Sequence, residues 1–360
     1  MKKTCIFLAL ALLAAACNKA QNVAEAPLPS EDANGAIHLT ITPEDGPLSK
    51  AGTAYSEQLG YETVLKRVQI FVFGPDGKIV SYYVNEPSQT PSLDVTMTTT
   101  PGPKTVWAVV NGPDLKSVAT LTELQSSAVD LKENGTTEAV GFIMAGSNSC
   151  TVSGSAPVEC DINVSRLVSR IAVTSIKNRL PVAYGVVKLR SVYLSNVVGN
   201  QNVAGTAAPA TWYNQDGRVD ETTRSASHII NSSSTLKASC PDLTFKNMDV
   251  NVDINGSYVP TRCVLYTYPN SNLTAPDGFS SPFTPKCCVL TIETQINGDI
   301  QYYPIALNKN ALERNTSYTV EVTLKGPGSN DPNKPAERGS LEVSLHVQPW
   351  SATIVYDEVI

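Results

Sequence analysis

Residues 287–307 read CCVLTIETQINGDIQYYPIAL, and this stretch decides the fold class. Two arms rich in β-branched and aromatic residues flank Asn297-Gly298. Asn-Gly suits a type I′ turn because both central residues need positive φ. The pattern predicts a β-hairpin, and the rest of the chain repeats it. Ile37, Leu39 and Ile41 alternate with His38, Thr40 and Thr42, which is strand period. Residues 68–73 (VQIFVF) form a second apolar strand, Asp76-Gly77 a turn, and 79–84 the return. Residues 105–110, 140–145, 186–197, 250–255, 318–324 and 341–347 read as further strands, and residues 161–176 are long and alternating over much of their length, with the first domain ending near there. Helix-period segments are scarce; residues 117–131 leave open one short helix or a turn-rich loop. Residues 199–239 read as a polar, irregular insertion, and 326–339 as a Gly/Pro/Asp loop. The chain ends at 354–360 in extended, β-rich residues.

The start of the chain is an address rather than a fold. Lys2 and Lys3 form a positive n-region, and residues 6–16 an apolar run of signal-peptide length, too short to span a bilayer as a mature helix. The run ends Leu13-Ala14-Ala15-Ala16-Cys17. A lipoprotein signal peptidase requires small residues before a Cys whose thiol carries diacylglycerol. Residues 1–17 are therefore expected to be a lipoprotein leader with Cys17 lipidated, although Ala14 stands where Leu is usual. An ordinary secretory signal would be cut near the same place. No later stretch is apolar enough to cross a membrane, so the lipid would be the only anchor. Residues 18–34 are polar and Ala/Pro/Glu-rich, the composition of a tether.

The 360 residues carry a net charge of −6 with 17% charged side chains, which gives no reason to expect nucleic acid as a partner. The length leaves room for about two domains. Of eight cysteines, Cys5 leaves with the leader and Cys17 takes the lipid. Cys150, Cys160, Cys240, Cys263, Cys287 and Cys288 remain as candidates for disulfides in an exported protein, or as buried thiols. Cys150 and Cys160 flank a Ser/Gly/Pro-rich turn, so a bridge across a hairpin is a natural pairing. No spacing is CxxC, which argues against a zinc or redox motif.

The search for chemistry returns little. His38, His228 and His346 have no metal-ligand partner at helical spacing, and HExxH and GxSxG are absent. Gly326-Pro327-Gly328 opens no phosphate-binding loop. Asp249, Asn251, Asp253 and Asn255-Gly256 imitate the start of a calcium loop, but counted from Asn251 the twelfth position is Arg262, where calcium needs a bidentate Glu. A strand with one polar face and an Asn-Gly turn accounts for that segment. Trp107, Trp212 and Trp350 are scattered and outline no sugar platform. No cofactor, metal or catalytic residue is expected, and the chain does not read as an enzyme.

Four features in order resemble the Bacteroidales type V pilins, the fimbrillin or major fimbrial subunit family. They are the lipobox at Cys17; the early strand at 37–41 followed by Lys50; the run Val164-Ser165-Arg166-Leu167-Val168-Ser169-Arg170-Ile171; and Leu312-Glu313-Arg314-Asn315-Thr316-Ser317-Tyr318-Thr319-Val320 with the later Val347-Gln348-Pro349-Trp350. The resemblance runs over essentially the whole chain, and Arg-Asn-x-x-Tyr and the terminal Pro-Trp are its most specific pieces.

The resemblance implies an all-β chain of two transthyretin-like β-sandwich domains in tandem, with short helices or irregular insertions. It implies a leader over 1–17, a tether and removable strand over 18–50, an N-terminal domain over 51–165 and a C-terminal domain over 166–360. It further implies an outer-membrane lipoprotein precursor cut by a trypsin-like protease. Here the cut falls between Lys50 and Ala51, with Lys66 and Arg67 as alternatives. The family's better-known site is an Arg. Loss of the strand at 35–49 would open a groove for an extended segment of a neighbour. The donor would be residues 351–360, with Ala352, Ile354 and Tyr356 on one face. Its expected partners are copies of itself, other fimbrial subunits and the protease, supporting adhesion. An anchor or tip subunit of the same fimbria, or a surface glycan-binding lipoprotein, are the competing readings.

Overall fold

The computed structural model describes residues 34–44, 60–87, 90, 92–135, 140–154, 156–214, 243–270, 288–307 and 311–350, together with the backbone of 229–230, 237–238 and 358–359. The fold is all-β. The first part of the chain holds β1 (Gly35–Pro43), β2 (Val68–Phe73), β3 (Ile79–Asn85), β4 (Leu93–Thr99), β5 (Gly102–Val110), β6 (Ala128–Asp130), β7 (Met144–Val152), β8 (Pro157–Glu159) and β9 (Ile162–Arg166). There follow β10 (Ser169–Asn178), β11 (Val187–Ser195), β12 (Val197–Val198), β13 (Asn200–Asn202), β14 (Trp212–Tyr213), β15 (Ile229–Ile230) and β16 (Lys237–Ala238). The last are β17 (Phe245–Val252), β18 (Ser257–Tyr258), β19 (Val264–Thr267), β20 (Val289–Ile296), β21 (Asp299–Ala306), β22 (Thr316–Leu324), β23 (Leu341–Pro349) and β24 (Glu358–Val359).

The first nine strands, except β6, form one sheet in the order β3-β2-β5-β7-β9-β1-β4, with β8 also paired to β1. The sheet encloses a core in which Ile37, Leu39 and Ile41 of β1 meet Val68, Ile70 and Val72 of β2, Val106 and Ala108 of β5, and Ile162 and Val164 of β9. Gly146 lets β7 and β9 come this close: a Cβ there would sit 2.0 Å from the Asn163 carbonyl oxygen. The later strands form a six-stranded sheet, β18-β10-β22-β23-β24 with β19 on β10, and a four-stranded sheet, β17-β11-β20-β21. Their inner faces share a second core that includes Val173, Leu189, Tyr193, Ile292 and Val320.

The decisive hairpin is present as β20–β21, paired from Val289↔Ala306 to Ile296↔Asp299. Asn297 and Gly298 take φ of 52° and 95°, as the turn requires. Within 117–131 a single helical turn, α1 (Leu121–Ser126), is closed by a capping box between Thr120 and Glu123. Residues 245–256 are a strand and turn. The alternating stretch over 161–176 holds two strands: β9 belongs to the first sheet and β10 to the six-stranded sheet. Leu167 and Val168, both fully buried, carry the chain across. Residues 140–143 are not strand, and β7 starts only at Met144.

Candidate functional site

β1 is an interior strand. It pairs antiparallel with β4 over seven residue pairs, from Gly35↔Thr99 to Ile41↔Leu93. Its other edge runs parallel to β8 and β9. Period-two alternation puts Ile37, Leu39 and Ile41 inside at 0% exposure. The alternate side chains face outward: Thr40 Oγ1 donates to Asp94 at 2.9 Å and Thr42 Oγ1 to Asn163 at 2.9 Å. The Cys160 amide donates to the His38 carbonyl and the Glu44 amide to the Val164 carbonyl, both at 2.9 Å. Burying three such aliphatic side chains is worth about 5–9 kcal/mol, comparable with the whole stability of a typical domain. A chain without β1 would have a slot lined by Val68, Ile70, Met97 and Ile162, bordered by the unpaired edges of β4 and β9.

The residues that carry the sequence motifs meet at one buried junction. Glu62, with no exposed surface, ends a short 3-10 turn (Gly60–Glu62). Its Oε1 accepts from Arg170 Nε at 3.0 Å and from the Tyr266 hydroxyl at 2.6 Å. Its backbone carbonyl accepts from Arg166 Nε at 2.6 Å. The Arg166 guanidinium lies over the Trp350 ring, 4.4 Å from the centroid, and donates to Asn315 Oδ1 at 2.9 Å. Tyr266 stacks on Trp350 and packs on Phe142. Burial pulls the Arg170 guanidinium down, but Glu62, Tyr266 and Tyr61 together outweigh it and the net shift is upward. Burial, and then the same carboxylate, push the Tyr266 hydroxyl well above its ordinary value.

Asn315 is the node of this junction. Its φ of 52° lies in the left-handed region, which Asn tolerates better than most residues. Its amide donates to the Val168 carbonyl at 2.9 Å, and its own carbonyl accepts from the Trp350 amide at 3.0 Å. Its side-chain Nδ2 donates to Glu44 Oε2, 2.7 Å away, just past the end of β1. Tyr318 completes the turn: its hydroxyl accepts from the Glu313 amide at 2.9 Å and donates to the Ala311 carbonyl at 3.1 Å. Arg314 reaches back to the carbonyls of Ala145 and Ser165. The Arg-Asn-x-x-Tyr spelling is thus a turn that ties the later sheets to the first. Glu62, the carboxylate that neutralises Arg170, carries no sequence signal of its own.

Cys150, Cys160 and Cys263 are free thiols, and Cys288 is buried. Cys17, Lys50, Ala51, Cys240, Cys287, Ala352, Ile354 and Tyr356 lie outside the described residues. Among the described residues no cluster of His, Cys, Asp and Glu is arranged to hold a metal ion, and no helix is long and apolar enough to cross a membrane.

Residues 37–158 match the family model described as the major fimbrial subunit protein FimA. Over this region, about a third of the chain, the protein is similar to the major fimbrial subunit family. A curated relative, the major fimbrium subunit FimA type-2 of Porphyromonas gingivalis, is 33% identical over 69 residues, which is 15% of this chain and 18% of that protein. The match therefore spans under a fifth of that fimbrial subunit's length. Solved structures extend the likeness of fold to most of the chain. A cell adhesion candidate from Parabacteroides distasonis superposes with a TM-score of 0.62 at 15% identity, covering 90% of this chain and 99% of that one. A fimbrilin from Porphyromonas gingivalis W83 gives 0.58 at 13% identity, covering 87% and 97%. The tip fimbrial protein Mfa3 of the same species gives 0.51 at 13% identity, covering 88% and 100%.

Proposed function

We propose that this protein is a polymerising structural subunit of a surface fimbria, with no catalytic role. It is exported as a lipoprotein on Cys17, matured by a trypsin-like cut after Lys50, and assembled by strand addition, in support of adhesion. The observation that carries the reading is the position of β1. The first strand of the fold fills the interior of the first sheet, and it precedes the candidate cut. A cut after Lys50 would leave β1 held only by non-covalent contacts and take the lipid with it. The emptied slot exposes two strand edges and an apolar floor, an arrangement that an extended segment of another chain satisfies. Residues 351–360 of a neighbour supply such a segment, and a head-to-tail contact of this kind need not close, so it gives a filament.

In the isolated chain the end of that segment is already engaged: Ser344↔Val359 and Leu345↔Glu358 place β24 on the edge of β23. Donation therefore exchanges a two-residue ladder for a longer one. The same pairing supports the alternative in which the tail completes its own sheet and the protein is a tip or anchor subunit, or a surface glycan-binding lipoprotein. N-terminal sequencing of surface material separates these readings. A mature start at Ala51 is the result expected for a stalk subunit. A blocked, lipidated Cys17 on all surface copies contradicts it and favours an uncut anchor or a glycan binder.

A further inference from the structure

The β7–β9 ladder pairs Met144 with Arg166 and Ala145 with Ser165. Farther along, Asn148 Nδ2 donates to the Asp161 carbonyl at 2.8 Å, which holds the end of β7 beside the segment that carries Cys160. Cys150 is near enough to act on the Cys160 thiol, which burial first and then Cys150 push upward. Both sit on the inner face, Cys160 in the first core and Cys150 packed against it. Neighbouring segments this close bring Cα atoms into the range of about 4.4–6.8 Å that a disulfide spans. Cys150 also lines an open cavity of about 250 Å³ with Gly74, Pro103, Lys104 and Ser149. An oxidant can therefore reach Cys150, whereas Cys160 is 2% exposed.

We propose that Cys150 and Cys160 close as a disulfide in the exported protein, and that this bond clips β7 to the β8–β9 segment along the flank of β1. The Cys150 thiolate attacks one sulfur of a disulfide-bearing oxidant, a small disulfide or a thiol oxidase, and expels the other sulfur as a thiol. Cys160 gives its proton to solvent and attacks the Cys150 sulfur of the mixed disulfide, releasing the second thiol. Protein and oxidant exchange two electrons and two protons, and no further reactant is needed. The Cys160 amide is bonded to the β1 carbonyl of His38, so the clip fixes the wall against which β1 lies. The closed loop is short, and its closure shifts the unfolding equilibrium roughly a hundredfold toward the folded state.

Intact protein taken from an oxidising compartment tests this without a variant. The sample is denatured, alkylated with iodoacetamide without reductant, and digested with trypsin. Both cysteines fall in one tryptic peptide, 133–166. The expected product is that peptide unalkylated and lighter than its reduced form by two hydrogens. Alkylation of both cysteines, or a link from either one to another cysteine, overturns the proposal. On the folded full-length chain, reduction should raise amide hydrogen exchange over 157–162 roughly tenfold while leaving β20 unchanged. Equal exchange in the two redox states overturns the clip.

Discussion

At the scale of single residues, the junction concentrates the most energy in the fewest atoms. Glu62 and Arg170 are an ion pair with 0% and 4% side-chain exposure. Removing one partner of such a pair strands the other charge, which costs about 3–5 kcal/mol. Glu62→Ala should lower the stability to chemical denaturation by that amount, and an unchanged midpoint would show that the pair is not the keystone described here. The buried tyrosines add a pH dependence. Burial raises Tyr268 above the ordinary value of 10.0, and raises Tyr318 to about 12; Tyr266 is raised by burial and by Glu62. Each stays neutral when folded at a pH where an unfolded tyrosine ionises. Their contribution is complete below about pH 10 and is lost as pH rises through the folded values, so stability should fall above about pH 10. Tyrosinate absorbance and loss of β circular dichroism should then rise in one cooperative step, whereas full ionisation before unfolding would contradict it. Arg166, Arg170, Asn315, Tyr318 and Trp350 were all legible as motif residues. Glu62 was not, because its partners stand 104 to 288 positions away and no local pattern joins them.

Among the elements, β1 and its neighbours decide the behaviour of the first sheet. Leu39→Ala removes a fully buried side chain from the middle of β1 and should cost about 2–5 kcal/mol in denaturant titration. Gly146→Ala puts a Cβ against the β9 backbone and should loosen the β7–β9 pairing by about 1–3 kcal/mol; equal stability would mean that the strands can part there at no cost. Strands with apolar side chains on alternate positions, such as β1, β2, β20 and β23, could be read from period alone. β4 was harder to read: Leu93, Val95 and Met97 alternate, but Asp94 and three threonines dilute the apolar signal, and its outward face is solvated. Period alone also does not mark the break between β9 and β10, since alternation continues while the chain passes from one sheet to another. The interior place of β1 is a matter of topology, and strand period carries no information about which strands become neighbours.

For the whole molecule, the proposed assembly gives one chain a slot occupied by its own first strand and a tail able to fill the same slot elsewhere. The two features are joined at Asn315, which bonds Glu44 beyond β1 and Trp350 at the root of the tail. Loss of residues 1–50 removes Glu44 from that node and empties the slot in one event. The most direct test compares cleaved full-length protein with cleaved protein lacking residues 351–360. If the tail is the donor, the first forms filaments by electron microscopy and the second stays a soluble, folded monomer. Filaments from the protein without its tail would contradict the donor role.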